Sequence, residues 1–443
     1  MRVTNFAATG LAEVNKYLVN NNLDSLTEKE LKNLLKISNI SFVVEEINRL
    51  QSTLLCELKD SYVQQSQRYV SFDKDAYTLA ELENKDLKKA EKIIAKAFKL
   101  YQSMSQLKDK ISPGRPKVED YKYGIPIEDA RYIFPLAVKT NISVAMSADK
   151  LYELFALFND DSYSDLFKEF KAQVSKHLPD SLINILDDYN FANGDNNLVA
   201  DFYQAKLEKI DSENELVFFS AFDNLDLKVG LGAATSTSAL NPSEKLSKWG
   251  KNAEQRAKAL AKRVLGYGHE SIAEQARTTF GMMCSLVTYH QQIRHRLPKN
   301  YRENLTKLIN QPSREVVIPP RIKDSQFEAE FLTIVDQFKK FRAYLAEKYD
   351  LTKALYFVLN CEQIKFITAT NARIDLEMLA ERICLNAQWE IRDLATKKLE
   401  VLRELSDVLY ENALPPCVYD KCNEGKLSCG QQKQMREKYS VRN

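Results

Sequence analysis

Histidine is scarce in this chain, four in 443 residues, yet His269, His290 and His295 share one stretch, GHESIAEQARTTFGMMCSLVTYHQQIRHR. The closing Arg294-His295-Arg296 offers two guanidinium forks and an imidazole, a donor set suited to a phosphate or pyrophosphate. His290 and His295 stand five positions apart, not the four that put two ligands on one helix face, so no metal site is expected. Ser271 followed three residues later by Glu274 reads as a capping box and predicts a helix from Ile272. The apolar stripe of that helix, Ala276, Phe280, Cys284 and Val287, arrives at Gln291 and Arg294. Such a face has either emerged into solvent, where the cations suit the helix C-terminal dipole, or reached a binding site.

A second anomaly lies at 371–392, NARIDLEMLAERICLNAQWEIR, where Met378, Arg382, Leu385 and Trp389 are expected on one helix face. Arg382 there is either a snorkelling side chain or a cation aimed into a pocket, where low dielectric strengthens it. GLGAAT at 230–235 has the look of a dinucleotide fingerprint, but it lacks the third glycine and runs into TSTSALNPSEK, so it reads as a turn. The seven cysteines are scattered, and Cys417, Cys422 and Cys429 form no CxxC and have no nearby histidine. They read as an ordinary tail of reduced thiols, which points to the cytoplasm.

The elements that must position these residues are mostly helices. EKELKNLLKI, DLKKAEKIIAKAFKLYQSM, KLYELFALF, AEQRAKALAKRVLG and LATKKLEVLRELSDVLYENAL repeat apolar residues every three or four positions. Expected strands are ARYIFPLAVKTNISVAM, ELVFFSAF, EVVIPP and ALYFVLNCEQIKFITAT, and 108–126 and 191–198 read as loops. The second loop, with the polar stretch to about 214, is the candidate boundary between domains at 1–205 and 206–443. Ala130–Leu154 and Ala354–Met378 both read strand, short turn, helix. At an offset of 224 (354 − 130) Ala130/Ala354, Tyr132/Tyr356, Ala145/Ala369 and Ala148/Ala372 coincide, which predicts a duplication with one copy per half.

Composition narrows the partners. Sixty-three Lys and Arg against 61 Asp and Glu leave a net charge of +2, no field for a nucleic acid. The N-terminus lacks a basic region followed by an apolar one, and no apolar run approaches a membrane span.

Taken in order, Gly268-His269-Glu270-Ser271, Arg294-His295-Arg296, Asn371-Ala372-Arg373, Arg382 and Gln388-Trp389-Glu390 resemble the flavin-dependent thymidylate synthases, the ThyX family. That family follows RHR with a seven-residue spacer, a serine and xRY, whereas here Asn304 stands at the serine and Thr306-Lys307 replace Arg-Tyr. The missing piece resembles Ser61–Tyr69 in the first half, which holds Ser66-Gln67-Arg68-Tyr69 but no RHR. Likewise the family's AR arginine is Arg131 in the first half and Leu355 in the second, while Asn371, Arg373 and Arg382 face Ser147, Asp149 and Phe158. The losses are complementary, so the resemblance implies one working kind of site per chain, built from both halves, and one defunct kind.

The resemblance further implies an α+β fold of two ThyX-like halves, each an antiparallel sheet flanked by helices, and a homodimer forming a pseudo-tetramer. It implies conversion of dUMP to dTMP with methylenetetrahydrofolate and NADPH as cosubstrates, FAD as cofactor and no cysteine nucleophile. By position, Arg382 would hold the ionised pyrimidine edge as the catalytic cation, and Gln64, Ser66, Arg68, Arg131, Gln291 and Arg294 would bind the nucleotide. Ser271, Arg294, His295, Arg296, Asn371 and Arg373 would hold FAD. Gln64 stands for a usual glutamate, Glu377 for an asparagine and Asn386 for a histidine. The last two changes support an alternative, a ThyX-like nucleotide- and flavin-binding protein without turnover.

Overall fold

Alternating burial along Asn39–Asn48 and Lys139–Ser147 marks strands with one face on a core, and both form at the centre of a sheet. The computed structural model describes residues 1–21, 26–111, 116–187 and 197–439. The first sheet joins β1 (Arg2–Thr9), β2 (Asn39–Asn48), β3 (Ser61–Gln64) and β4 (Lys139–Ser147) in the antiparallel order β1-β2-β4-β3. The second joins β5 (Leu216–Ala221), β6 (Arg277–Ser285), β7 (Lys299–Arg302) and β8 (Gln363–Asn371) in the order β5-β6-β8-β7, with β5 antiparallel to β6 and β7 to β8. The two orders are the same, and the fold is α+β with an antiparallel sheet and flanking helices in each copy.

Residue spacing carries the duplication into the backbone. β8 follows β4 by 224 positions at both ends (363 − 139 and 371 − 147). β6 starts 238 positions after β2 (277 − 39) but ends 237 after it (285 − 48). The extra residue of β2 is taken up where its register shifts between Val44 and Ile47, beside Glu46 at φ 58°. Past that bulge, the helix Arg49–Glu57 corresponds to Leu286–Gln292, capped by Asn48 and Ser285 respectively.

The amphipathic stretches form helices at Glu28–Leu35, Asn84–Met104, Leu151–Phe158, Ala253–Gly266 and Trp389–Leu405. Several expectations need correction. The helix expected from Ile272 is a 3-10 segment, Glu270–Gln275, followed by β6. A spacing of four satisfies a strand as well as a helix, and β6 is buried on both faces over most of its length, so no alternation betrays it. GLGAAT is not a turn but lies inside the helix Leu225–Thr237. A Cβ on Gly230 would stand 2.5 Å from Ala257, so the glycine is there for close helix packing. The helix Ala372–Arg382 ends at Arg382, so Leu385 and Trp389 do not continue its face. The expected strand at 130–146 begins only at Lys139, after the 3-10 turn Arg131–Ile133, and that at 354–370 only at Gln363. EVVIPP makes one bridge, Val316 to Glu362, before its prolines stop the pairing. Of the two expected loops, 112–115 and 191–196 lie outside the described residues, and the helix Asn197–Leu207 begins within the second.

Close contacts divide the chain into two units that do not coincide with contiguous halves. The first unit comprises Met1–Phe202, Ser285–Arg294 and Asn304–Gln363; the second comprises Tyr203–Cys284, His295–Glu303 and Ile364–Asn443. Within the first unit the two copies meet about a local pseudo-two-fold axis. Leu136 N–H donates to Val358 O and its counterpart Asn360 N–H to Phe134 O, both at 2.8 Å. Ala137 to Tyr356 (3.0 Å) and Cys361 to Tyr132 (2.9 Å) form the next such pair, and the bridge between Pro135 and Leu359 lies on the axis. Every one of these pairs maps onto its mate at offset 224, the reciprocity of an isologous contact. The buried apolar run Phe134–Val138 thus pairs with its own duplicate instead of entering a sheet. In the second unit, Leu207, Ile210, Met283 and Ile367 form one apolar cluster under β6 and β8.

Candidate functional site

The helix Arg49–Glu57 carries Arg49, Ser52 and Thr53 on one buried stripe, a polar face in a place where a helix normally puts apolar residues. Ser52 accepts a hydrogen bond from Gln64 Nε2 (2.7 Å) at the end of β3. In the turn that follows, Ser66 Oγ accepts from the Arg68 N–H (3.1 Å). Arg68 Nε donates to Glu128 Oε2 (2.8 Å), and Arg131 Nε donates to the Glu128 carbonyl (3.2 Å), so one residue fixes both guanidiniums. From the other half of the sequence comes Leu286–Gln292, where Gln291 is buried with Nε2 on Val287 O (3.3 Å), and Arg294 follows it. All these groups belong to the first unit. Residues far apart in the chain are therefore gathered in one unit.

The electrostatics of this cluster are those of cations held close together. Burial, then Arg68 and Arg294, hold Arg131 down to about 10 against the opposing pull of Tyr132 and Glu128. Burial, then Arg294 and Arg131, bring Arg49 down to about 9. His290 is pushed well below its usual value by burial, then by Arg49, Arg131 and Arg294, so it is neutral at physiological pH. Arg131 Nη2 and Arg49 Nη1 are buried donors with no hydrogen-bond partner among the described residues. Such a cluster is shaped to receive an anion. Across the pseudo-two-fold the counterparts are Leu286 for Arg49, Leu54 for Gln291, Glu57 for Arg294, Asn304 for Ser66, Thr306 for Arg68 and Leu355 for Arg131. None of these six counterparts is a cation, although Arg302 stands where the first copy has Gln64, and Glu57 instead accepts a bond from the Tyr289 hydroxyl (2.7 Å).

The second unit holds the remaining motif residues. Gly268, at φ 80°, ends the helix Ala253–Gly266, and the exposed Ser271 opens onto the surface from the 3-10 segment. Ala372 N–H donates to Ala276 O (2.9 Å), and Arg373 Nη1 donates to Glu274 Oε1 (2.6 Å), which brings the NAR and GHES regions together. Asn371 Oδ1 caps its helix through the Ile374 N–H (3.0 Å). Arg382 Nε donates to His295 Nε2 (2.7 Å), which places the imidazole proton on Nδ1. Glu381 stands 3.9 Å from His295 and 3.7 Å from Arg382, and Arg296 is half-buried. Two guanidiniums, an imidazole, an amide and a hydroxyl fit the donor needs of a dinucleotide pyrophosphate. Glu274, Glu270 and Glu377 raise the Arg373 pKa and compete with an anion there. The RHR segment straddles the two units, which divide between Arg294 and His295.

The sequence reading missed Glu128, Arg49 and Thr53, and weighed His290 only as a metal ligand. The buried polar stripe of Arg49–Glu57, legible in NRLQSTLLCE as polar residues at i, i+3 and i+4, is the signal that could have found two of them.

The family model for thymidylate synthase complementing proteins matches residues 7–180 and again 224–406. Among similar proteins, a flavin-dependent thymidylate synthase of Clostridium tetani is 30% identical over 207 residues, covering 42% of this chain and 82% of its own. One from Thermococcus kodakarensis is 35% identical over 176 residues, 37% of this chain and 72% of its own. One from Thermococcus onnurineus is 34% identical over 196 residues, 40% of this chain and 77% of its own.

Proposed function

Because this chain belongs to the family of flavin-dependent thymidylate synthases, we propose that it converts dUMP to dTMP, with methylenetetrahydrofolate and NADPH as cosubstrates. The observation that carries this reading is the cation cluster of the first unit, in which Arg49 and Arg131 are buried, Arg68 is half-buried and Arg294 is exposed, with Arg131 Nη2 lacking a partner among the described residues. A phosphomonoester dianion is the ligand such a cluster suits best.

Arg68, Arg131 and Arg294 grip the phosphate, with the Ser66 hydroxyl, while Gln64 and Gln291 orient the nucleoside. Glu128 keeps two of those guanidiniums in place and offsets part of their mutual repulsion. Arg382 acts on the pyrimidine edge. Negative charge must develop on the ring for C5 to become nucleophilic, and a preorganised guanidinium stabilises that charge. His295, accepting from Arg382 Nε, holds its planar fork in one orientation. Ser271, His295, Arg296, Asn371 and Arg373, together with Arg294, would hold FAD, which supplies the redox chemistry when bound. This reading needs no cysteine nucleophile, and burial raises the thiol pKa of Cys361, Cys384 and Cys417, which disfavours their thiolates. The enzyme works as a homodimer with a pseudo-tetrameric arrangement of copies, in the cytoplasm.

The test is reconstitution with FAD, NADPH, methylenetetrahydrofolate and dUMP, with dTMP as the expected product. Protein that retains flavin and binds dUMP yet forms no dTMP would favour a binding protein without turnover, the reading to which Glu377 beside Arg373 points.

A further inference from the structure

We propose that Arg49, clamped by a neutral His290, is an additional phosphate-binding residue of the nucleotide site, one that lies outside every motif of the chain. The inference rests on the nucleotide-binding reading above.

Arg49 opens its helix and is 3% exposed, yet no carboxylate among the described residues is its hydrogen-bond partner. Its Nε donates to His290 Nδ1 at 3.1 Å. Guanidinium nitrogens only donate, so Nδ1 must be the acceptor and the ring proton sits on Nε2. That proton points to Thr53 Oγ1 at 2.7 Å, and the Thr53 hydroxyl donates in turn to the Arg49 carbonyl at 2.7 Å. The three residues form a closed chain in which every donor has one possible direction. Thr53 and His290 are also counterparts at offset 237, so the clamp sits at the pseudo-two-fold axis, where only one arginine can use it.

The clamp fixes Nε and leaves Nη1 buried without a partner among the described residues. Burying a guanidinium against Arg131 and Arg294 is unfavourable in a low-dielectric interior unless an anion joins them. A structural arginine would be expected to meet a carboxylate or carbonyl oxygens, as Arg342 does with Glu362 and Leu308 O in the same unit. Arg49 meets neither through the atoms described, and it shares its electrostatic environment with the phosphate-gripping arginines. Its counterpart Leu286 lies on the side where Arg68, Arg131 and Arg294 are likewise replaced, by Thr306, Leu355 and Glu57, so Arg49 is sorted with the proposed site.

Equilibrium binding of dUMP and of 2′-deoxyuridine to the flavin-loaded protein separates phosphate from nucleoside contacts. Arg49→Met should weaken dUMP by at least about tenfold, the worth of one charge-assisted hydrogen bond, and leave deoxyuridine within about twofold of wild type. Arg49→Lys keeps the charge but not the clamp, and should show a smaller loss confined to dUMP. If Arg49→Met does not fold, Arg49→Lys decides by the same comparison. His290→Ala should reproduce the dUMP-specific loss, and His290→Gln, whose amide oxygen can accept from Arg49, should restore binding. Equal loss of both ligands, or no loss of dUMP binding in a folded variant, overturns the proposal. A wild-type protein that binds neither ligand refutes the nucleotide reading itself, and this inference with it.

Discussion

His290 is surrounded by Arg49, Arg131 and Arg294 and is buried, so a proton on it would be opposed from three directions. Its pKa is lower in the folded chain than in the unfolded one. The unfolded state therefore binds the extra proton first as pH falls, and the stability contributed by the neutral imidazole is full above about 6.5 and lost below it. Melting curves between about pH 5 and pH 7 should show wild type losing stability on acidification by up to about 1.4 kcal/mol per pH unit more than His290→Gln. Parallel profiles for the two proteins would contradict the buried neutral assignment. Cys56 lies close enough to Arg49 to raise its pKa, which makes it the thiol to examine near the nucleotide. Cys56→Ser should keep dTMP formation within a few-fold of wild type in an initial-rate assay; abolition would mean the reaction does use a thiol.

At the scale of elements, Gly230 and Gly232 give opposite expectations from one helix, Leu225–Thr237. Alanine adds up to about 1 kcal/mol of helix propensity at either position. At Gly230 its Cβ would meet Ala257 backbone at 2.5 Å, and overpacking of that kind costs about 1–3 kcal/mol. At Gly232 the nearest atom is Gln275 Cγ at 3.0 Å, in an exposed, flexible side chain that can turn away. Urea unfolding should rank Gly230→Ala below wild type and Gly232→Ala at or above it. The reverse order would remove the packing argument for the glycine. The same helix shows why some elements were legible and others not. Ala253–Gly266 has a clean 3.6 period and was readable at both ends, whereas the glycines of Leu225–Thr237 are explained only by what packs against them. β6 was unreadable for another reason: residues spaced by four and buried on both faces satisfy two periods at once. The motifs proposed to hold the nucleotide were legible because complementary losses sort by side, whereas Arg49 belongs to no motif, and only the polar spacing of its helix and its bond to His290 bring it out.

At the scale of the whole molecule, duplication relaxes a constraint. A chain with two copies needs each half of a site once, and the first unit gathers Arg68 and Arg131 from one copy with Gln291 and Arg294 from the other. The pairs of hydrogen bonds at offset 224 show the two copies meeting as subunits of a symmetric dimer would. The proposed pseudo-tetramer of copies predicts that sedimentation finds about twice the 50.9 kDa chain mass, a homodimer, rather than four chains; a stable monomer or a four-chain assembly would contradict this. In the proposed reading, one chain builds a working nucleotide site from both of its halves. It is tested most directly by dTMP formation from wild type, Arg68→Ala, Arg294→Ala and Arg382→Ala, and from an equimolar mixture of the first two variants. Wild type should turn over, each variant should lose at least about a hundredfold, and the mixture should show no recovery, because Arg68 and Arg294 would serve one site in one chain. Full activity in Arg68→Ala, or recovery on mixing, would contradict it.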